Sequence, residues 1–491
     1  MSQTRKESKK YEEKKQGKKR KKDSLKILIF ALLLIILVLS LVMIIRLSQN
    51  KPLFSIGESY YNMRIAQALK QDFFLIKDPV QGTFYEPNLY HYLLAFLMIM
   101  FPPVIISLLF PLLLGVLSGF LFFKLLVLIG IKYKQAAYSL IILSVTPIFI
   151  TLFTGLYLSG FIIFLSLLTL VLTLNNKKIW QMLGILLFLL LALTSLTGFL
   201  ITVIIIFFLC LALKKNLKAL FFAILIPVLV IVSLSLFSDY TPRLLGFHSF
   251  AFKNILSLLK ATLGFDLFLL LLFFTGFFII WVRDEQNRLF HLVTPGFIIF
   301  SFFNNTARVF TSFIITTYCV VAITYLYKRR WQLKIIRIGT LLLVLCSLVF
   351  SITNQVNLLV NSQPDKEMQN ALIFLKDLGK GRVLTSENYG FLVEYYSEKE
   401  VLLDSNSFVL PNYLDLKNDT NILFRTARLK EAEPLIKEYG VHYILITPSM
   451  KEELWEEREQ GLWFLMKHSE SFIKKYEQRG IEIWEYTGVG V

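Results

Sequence analysis

Long apolar runs broken by short basic connections dominate the first 353 positions. Runs near residues 27–46, 104–128, 136–154, 160–175, 180–196, 197–213, 219–238, 263–282, 289–303, 309–327 and 335–353 predict about eleven membrane-spanning helices if each needs roughly 17–25 residues. The first run, Ile27 to Ile45, is longer than a signal-peptide core and has no small-residue cleavage site behind it, so it is expected to be retained as a span. Between the spans, Lys132 and Lys134, Lys177 and Lys178, Lys214 with Lys215 and Lys218, Arg283 with Arg288, and Lys328 with Arg329 and Arg330 fall on alternate connections. The positive-inside bias then places the N-terminus in the cytoplasm. Three stretches face outward on this reading: the loop 47–103, the segment from Asp239 to about Thr262, and the chain beyond Asn354. Within the loop, YHYLLAFLMIMF is apolar, but as a span it would reverse the later basic clusters, so it is read as a helix lying in the interface.

After Pro364 the pattern changes. Amphipathic helical stretches, KEMQNALIFLKDLG and RLKEAEPLIKEYG, alternate with short β-rich runs, RVLTS, EVLLD, HYILIT and IEIWEY. This alternation predicts a soluble α/β domain. The expected organisation is a basic tail over 1–25, a multi-span domain over 26–355 containing the outer loop 47–103, and an external domain over 363–491. The fold class is therefore a polytopic α-helical membrane protein with a C-terminal external α/β domain. No internal repeat suggests a transporter built from inverted halves.

Composition agrees: 55% of 491 residues are hydrophobic and the mean hydropathy is +0.62, outside the range of water-soluble globular chains. The formal charge is +18, much of it in TRKESKKYEEKKQGKKRKKDSLK, which directly precedes a span. A disordered cytoplasmic anchor facing anionic lipid accounts for that segment better than a nucleic-acid site. Cys210, Cys319 and Cys346 all lie in apolar runs and form neither a disulfide framework nor a thiolate metal site. No Gly-rich phosphate loop, HExxH, CxxC pair or GxSxG is present. Asn418, in KNDT, is a potential glycosylation acceptor of the chain itself.

Polar residues in the loop draw attention because each has a cost at a membrane surface. In GESYYNMR, Glu58 stands where a helix N-terminus favours an anion, which by itself describes a capping carboxylate with interfacial tyrosines. Further along are YEPNLYHY, with Glu86 and His91, and FNNTARVFTSF, where Arg308 opens a span at its outer end. Glu58, Glu86 and His91 are candidate metal ligands, since carboxylate and imidazole together suit Mn²⁺ or Zn²⁺; the bland alternative is a set of hydrogen-bonded structural groups. An outer arginine runs against the positive-inside bias, and a guanidinium grips phosphate oxygens in pairs, so Arg308 is a candidate phosphate contact, with Arg64 and Arg243 behind it.

Taken in order, IGESYYNMRIAQAL, FYEPNLYHYLLAFL, ENYGFLVEYYSEKEVLLDSNSF and EYGVHYILI resemble the catalytic subunits of oligosaccharyltransferases, particularly archaeal ones, which are GT-C membrane glycosyltransferases. The resemblance implies about 11–13 spans and a polyprenyl-phosphate-linked donor. It also implies a divalent cation, Mn²⁺ or Mg²⁺, that neutralises the leaving phosphate. Glu58 stands six residues before Arg64, as the family's loop Asp stands before its Arg, and is implied as metal ligand and catalytic carboxylate. Arg308 is implied as the donor-phosphate contact. SENYG, Ser386 to Gly390, occupies the place of the family's WWDYG, so Asn388, Tyr389 and Gly390 are implied in acceptor binding, and Asp404 matches a later tract. The family's second-loop acidic pair is missing: TGLYLSG, Thr154 to Gly160, has no carboxylate, and the nearest later one is Asp239.

Two functions follow as expectations. One is transfer of a sugar or oligosaccharide from a polyprenyl-phosphate carrier to an acceptor, including protein asparagine, on the outer face of the cell membrane. The partners would be that donor, the bilayer and a protein or glycan acceptor, with no nucleic acid. The other is a non-catalytic scaffold or lipid-linked-glycan binding protein that keeps the fold without the reaction. A flippase is disfavoured, because apart from Asp266 the spans carry almost no ionisable residues.

Overall fold

The computed structural model describes residues 2–55, 57–75, 77–82, 88–213, 225, 267–283, 288–410, 412–455 and 460–488. The chain forms two compact units. The first comprises residues 1–43, 88–90 and 107–359; the second comprises 44–87, 91–106 and 360–491.

Ten of the eleven expected apolar runs coincide with described helices, and the run at 219–238 lies outside the described residues. In chain order these are α1 (Ser2–Ser48), α4 (Pro103–Leu128), the pair α5 (Tyr133–Ser144) and α6 (Pro147–Phe153), α7 (Leu158–Thr173), α8 (Lys178–Thr194), α9 (Leu196–Ala212), α10 (Leu267–Arg283), α11 (Arg288–Ser301), α12 (Asn305–Lys328) and α13 (Lys334–Asn361). α2 (Gly57–Gln71) and α3 (Leu89–Met100) lie in the loop. Among the described residues four helices are long and apolar enough to cross a membrane, five if the bent pair α5–α6 counts as one span, and shorter apolar helices accompany them. α5 and α6 meet at 72°, where Pro147 at the start of α6 cannot donate the hydrogen bond that a continuous helix needs. The backbone of α1 is helical from Ser2, through the basic stretch expected to be disordered. Lys, Glu, Gln and Arg are good helix formers, which favours a helical backbone there.

In the first unit, α12 is the central helix and packs against α10, α11 and α5, while α7 pairs with α8. Leu269 and Phe273 of α10 and Ile315 and Tyr318 of α12 build its core. A Cβ at Gly276 would collide with the Tyr318 carbonyl, so the small residue permits the close helix contact that membrane interfaces use.

In the second unit, the C-terminal region is the α/β fold expected. It contains α14 (Lys366–Asp377), β1 (Arg382–Leu384), α15 (Gly390–Ser397), α16 (Tyr413–Arg425), α17 (Leu429–Glu438), β2 (Val441–Ile446), α18 (Pro448–Leu454), α19 (Gly461–His468), β3 (Phe472–Gln478) and β4 (Ile481–Tyr486). The sheet order is β1-β2-β4-β3, with β1 and β2 parallel and the other pairs antiparallel. β2 is central and reads as a nearly continuous apolar run because it is covered on both faces. Its Ile444 and Ile446 join Leu423, Ile436, Leu462 and Trp484 in one core. EVLLD, expected as a strand, makes a single parallel bridge, Val401 to Val383, and then turns away.

Arg46, at the end of α1, is fully buried in this unit. Its guanidinium donates to the carbonyls of Pro52 (2.8 Å), Phe54 (3.0 Å), Val360 (3.3 Å), Ser362 (2.9 Å) and Pro364 (2.8 Å). One planar cation thus ties the start of the loop to the chain entering the C-terminal region.

Candidate functional site

The stretch GESYYNMR forms the first half of α2, with Glu58 in its first turn, as its sequence predicts. The helix buries Tyr60, Asn62, Met63, Arg64 and Ala66, and Glu58 is half-buried. α2 packs on α15, which begins at Gly390 of the SENYG segment. Contact is close at the helix start: a Cβ on Gly57 would lie 3.4 Å from the Phe391 Cβ and 3.7 Å from the Asn388 carbonyl oxygen. The Tyr61 ring rests on Phe391, with centroids 4.8 Å apart, and also neighbours His91 at 5.7 Å and the Arg64 guanidinium at 5.7 Å. The fold therefore sets the start of α2 beside the Asn388–Gly390 turn and Tyr61 beside His91 and Phe391, segments far apart in the sequence.

Asn388 is exposed, Tyr389 is half-buried with its hydroxyl 2.7 Å from Ser449 Oγ, and Gly390 is buried. Gly390 has a steric reason: a Cβ there would sit 2.7 Å from the Asp404 Cα and 2.8 Å from the Leu403 carbonyl oxygen. Asp404 closes its own turn, its Oδ1 accepting from the Asn406 amide and the Ser407 hydroxyl, both at 2.8 Å.

His91 is buried, and its Nε2 lies 2.8 Å from Asn62 Oδ1. A carbonyl oxygen only accepts, so Nε2 carries the proton and Nδ1 keeps the ring's lone pair. Burial pushes the imidazole down to about 3, so it is neutral near pH 7. Glu86, Asp239 and Arg243 lie outside the described residues. Among the described residues no three His, Cys, Asp or Glu side chains group as a metal site. Of the cation ligands named from the sequence, Glu58 and His91 are among the described residues.

Arg64 is buried in a charged cluster. Its Nη2 donates to Asp78 Oδ2 (2.8 Å) and to Glu394 Oε2 (2.7 Å), and its Nη1 donates to Asp78 Oδ1. Asp78 Oδ1 also accepts from the amides of Val80 (2.9 Å) and Gln81 (3.1 Å), forming the turn at Asp78–Pro79. Gln81 Nε2 donates to Glu394 Oε1, and Glu394 is fully buried. Burial raises both carboxyls. At Glu394 burial prevails over Arg64 and pushes the group up to about 8, whereas at Asp78 the Arg64 hydrogen bonds and charge prevail and hold it below the ordinary value. Asp78, Gln81 and Glu394 were not singled out from the sequence. Their signal was faint: an Asp-Pro-x-Gln turn, and one acid in the apolar run GFLVEYYS.

Arg308 lies in the first turn of α12 in the first unit, behind Asn304, whose side chain caps the helix by accepting from the Ala307 amide at 3.0 Å. The Arg308 Nε is buried and finds no hydrogen-bond partner among the described residues. An orphaned buried guanidinium donor is costly unless something else takes it.

A loop helix packed on a C-terminal α/β region, together with the apolar helices, makes up a GT-C-like fold. Among solved structures the chain is similar to the oligosaccharyltransferase of the archaeon Archaeoglobus fulgidus. With that enzyme in the apo form the TM-score is 0.63 at 13% identity, covering 94% of this chain and 74% of that one. The same enzyme, AglB, has been solved with an inhibitory peptide and a dolichol-phosphate (TM-score 0.61, 12% identity, the same coverage) and with Zn and sulfate. ArnT from Cupriavidus metallidurans bound to undecaprenyl phosphate is also similar, with a TM-score of 0.56 at 10% identity over 93% of this chain and 97% of that one. No protein-family model and no curated protein matches the sequence.

Proposed function

We propose that this protein is a GT-C glycosyltransferase that moves a sugar or oligosaccharide from a polyprenyl-phosphate carrier to an acceptor on the outer membrane face. The observation that carries the reading is the seating of the Glu58 helix start against the Asn388–Gly390 turn, in a fold shared with two enzymes solved with lipid phosphates. The N-terminus is cytoplasmic and the C-terminal region external, in the cell membrane.

Glu58 is assigned as the catalytic carboxylate and cation ligand, with Glu86 and His91 as further ligands. These residues would hold a Mn²⁺ or Mg²⁺, which would neutralise charge at the leaving phosphate. Arg308 holds donor phosphate oxygens, for which its Nε is an uncommitted donor. Arg64 remains a donor-phosphate candidate only through atoms beyond its two carboxylate partners. The exposed Asn388, with Tyr389 and Gly390, lines the acceptor side. Because the acceptor attacks the anomeric carbon directly, the configuration there inverts.

The test is reconstitution in liposomes with a pool of labelled polyprenyl-linked sugars and Mn²⁺ or Mg²⁺. Release of the lipid phosphate is expected; protein that neither binds nor consumes any such donor refutes the reading. A second reading, a scaffold that binds lipid-linked glycans without turnover, draws on the missing second-loop acidic pair and on SENYG standing in the place of WWDYG. Donor binding without consumption would select it.

A further inference from the structure

We propose that Glu394 is a positioning residue: through Arg64 and Gln81 it fixes the direction of α2 on α15, and with it the placement of Glu58 beside the Asn388–Gly390 turn. This inference rests on the functional reading above.

Three observations converge on it. Glu394 is one helical turn beyond Gly390, and Arg64 is six residues beyond Glu58, about 9 Å along the helix axis. The pair therefore acts within the same α2–α15 contact that places the start of α2. The other contacts along that line are aromatic and neutral, Tyr61 on Phe391 and Tyr60 against Tyr395 and Tyr396, with side-chain hydrogen bonds between Tyr60 and Tyr396 and between Gln67 and Tyr395. A guanidinium held by Asp78 on one side and Glu394 on the other has a fixed plane, so it is the charged, directional contact of α2 on α15.

Energetics point the same way. A buried ion pair replaced by well-packed apolar groups is often neutral or stabilising, so such a pair is weak at adding stability and better suited to fixing a register. The groups facing Glu394 are Arg64 from α2, Asp78 and Gln81 from the loop turn, and Asp404 from the segment after α15; Tyr61 adds a phenol nearby. One cation among three carboxyls leaves the cluster short of positive charge. A protonated Glu394 keeps both hydrogen bonds if the Gln81 amide turns its oxygen toward it.

The experiment is hydrogen exchange on the reconstituted full chain, comparing α2 amides with β2 and β4 amides, together with the acceptor KM and kcat. Glu394→Leu is expected to speed α2 exchange about tenfold or more while β2 and β4 stay protected, and to raise the acceptor KM more than it lowers kcat. Glu394→Gln, which mimics the protonated acid, is expected to restore wild-type α2 exchange. Should Glu394→Leu fail to fold, Arg64→Lys serves instead: it keeps the charge, loses the fork, and is expected to loosen α2 alone. Wild-type exchange of α2 in folded Glu394→Leu or Arg64→Lys overturns the proposal. If the wild type turns over no donor, the functional reading fails, and the exchange data alone decide the positioning claim.

Discussion

Arg46→Lys isolates what the buried guanidinium does at the junction between loop and C-terminal region. Arg46 satisfies five carbonyls, those of Pro52, Phe54, Val360, Ser362 and Pro364. An ammonium keeps the charge but has three donors, so at least two of those carbonyls lose their partner. At about 1–3 kcal/mol for each unsatisfied buried group, the expected loss is about 2–6 kcal/mol. Lys51 Nζ, which donates to the Val360 carbonyl at 3.0 Å, softens the loss at that one oxygen. Local opening measured by hydrogen exchange at Leu53, Phe54 and Asn361 to Gln363 should rise at least about thirtyfold, the equivalent of the lower bound. The distant β2 and β4 amides should not change. Wild-type exchange at the junction in Arg46→Lys would refute the claim that the guanidinium's geometry, rather than its charge, holds this segment.

Other outcomes follow from the same physics. Gly390→Ala should destabilise the C-terminal region by about 1–3 kcal/mol, because its Cβ meets the backbone of Asp404 and Leu403 and only a backbone shift relieves it; urea or thermal unfolding reads this. Arg308→Met should abolish binding of polyprenyl phosphate while leaving the melting temperature unchanged or raised, since it removes an orphaned buried donor; retained binding would exclude Arg308 from the donor site. The sign of the pH dependence differs between the two buried carboxyls. Asp78, held low, contributes stability above its ordinary value that is lost as pH falls through the folded one. Glu394, raised from 4.5 to about 8, contributes stability that is full below 4.5 and lost as pH rises toward 8. Glu394→Gln should therefore flatten the alkaline limb and leave the acid limb, as read by unfolding midpoints across pH.

The hydrophobic pattern carried the architecture because burial in lipid and burial in a soluble core leave different periodicities. Unbroken apolar runs gave the helices from α4 to α13, and the alternation after Pro364 gave an α/β region with β2 and β4 where HYILIT and IEIWEY stand. EVLLD does line the free edge of β1, but β1 is only three residues long, so the pairing stops at a single bridge. The site was legible in part. Glu58 at a helix start follows from local capping rules, and Asn388–Gly390 forms a tight turn as its composition suggests. What the sequence hid is long-range: Arg64 looked like a spare cation for phosphate, yet it faces Glu394, 330 positions away, and no local pattern marks that pairing.

Donor turnover in reconstituted protein, wild type against Glu58→Gln, with Mn²⁺ or Mg²⁺ and after EDTA, tests the central claim most directly. Glu58→Gln keeps the helix start and its size while removing the carboxylate charge. The account predicts metal-dependent consumption of polyprenyl-linked sugar by the wild type, lost with EDTA and reduced by about a hundredfold or more in the variant. Equal turnover by both proteins, or equal inertness while both still bind the lipid carrier, would contradict it.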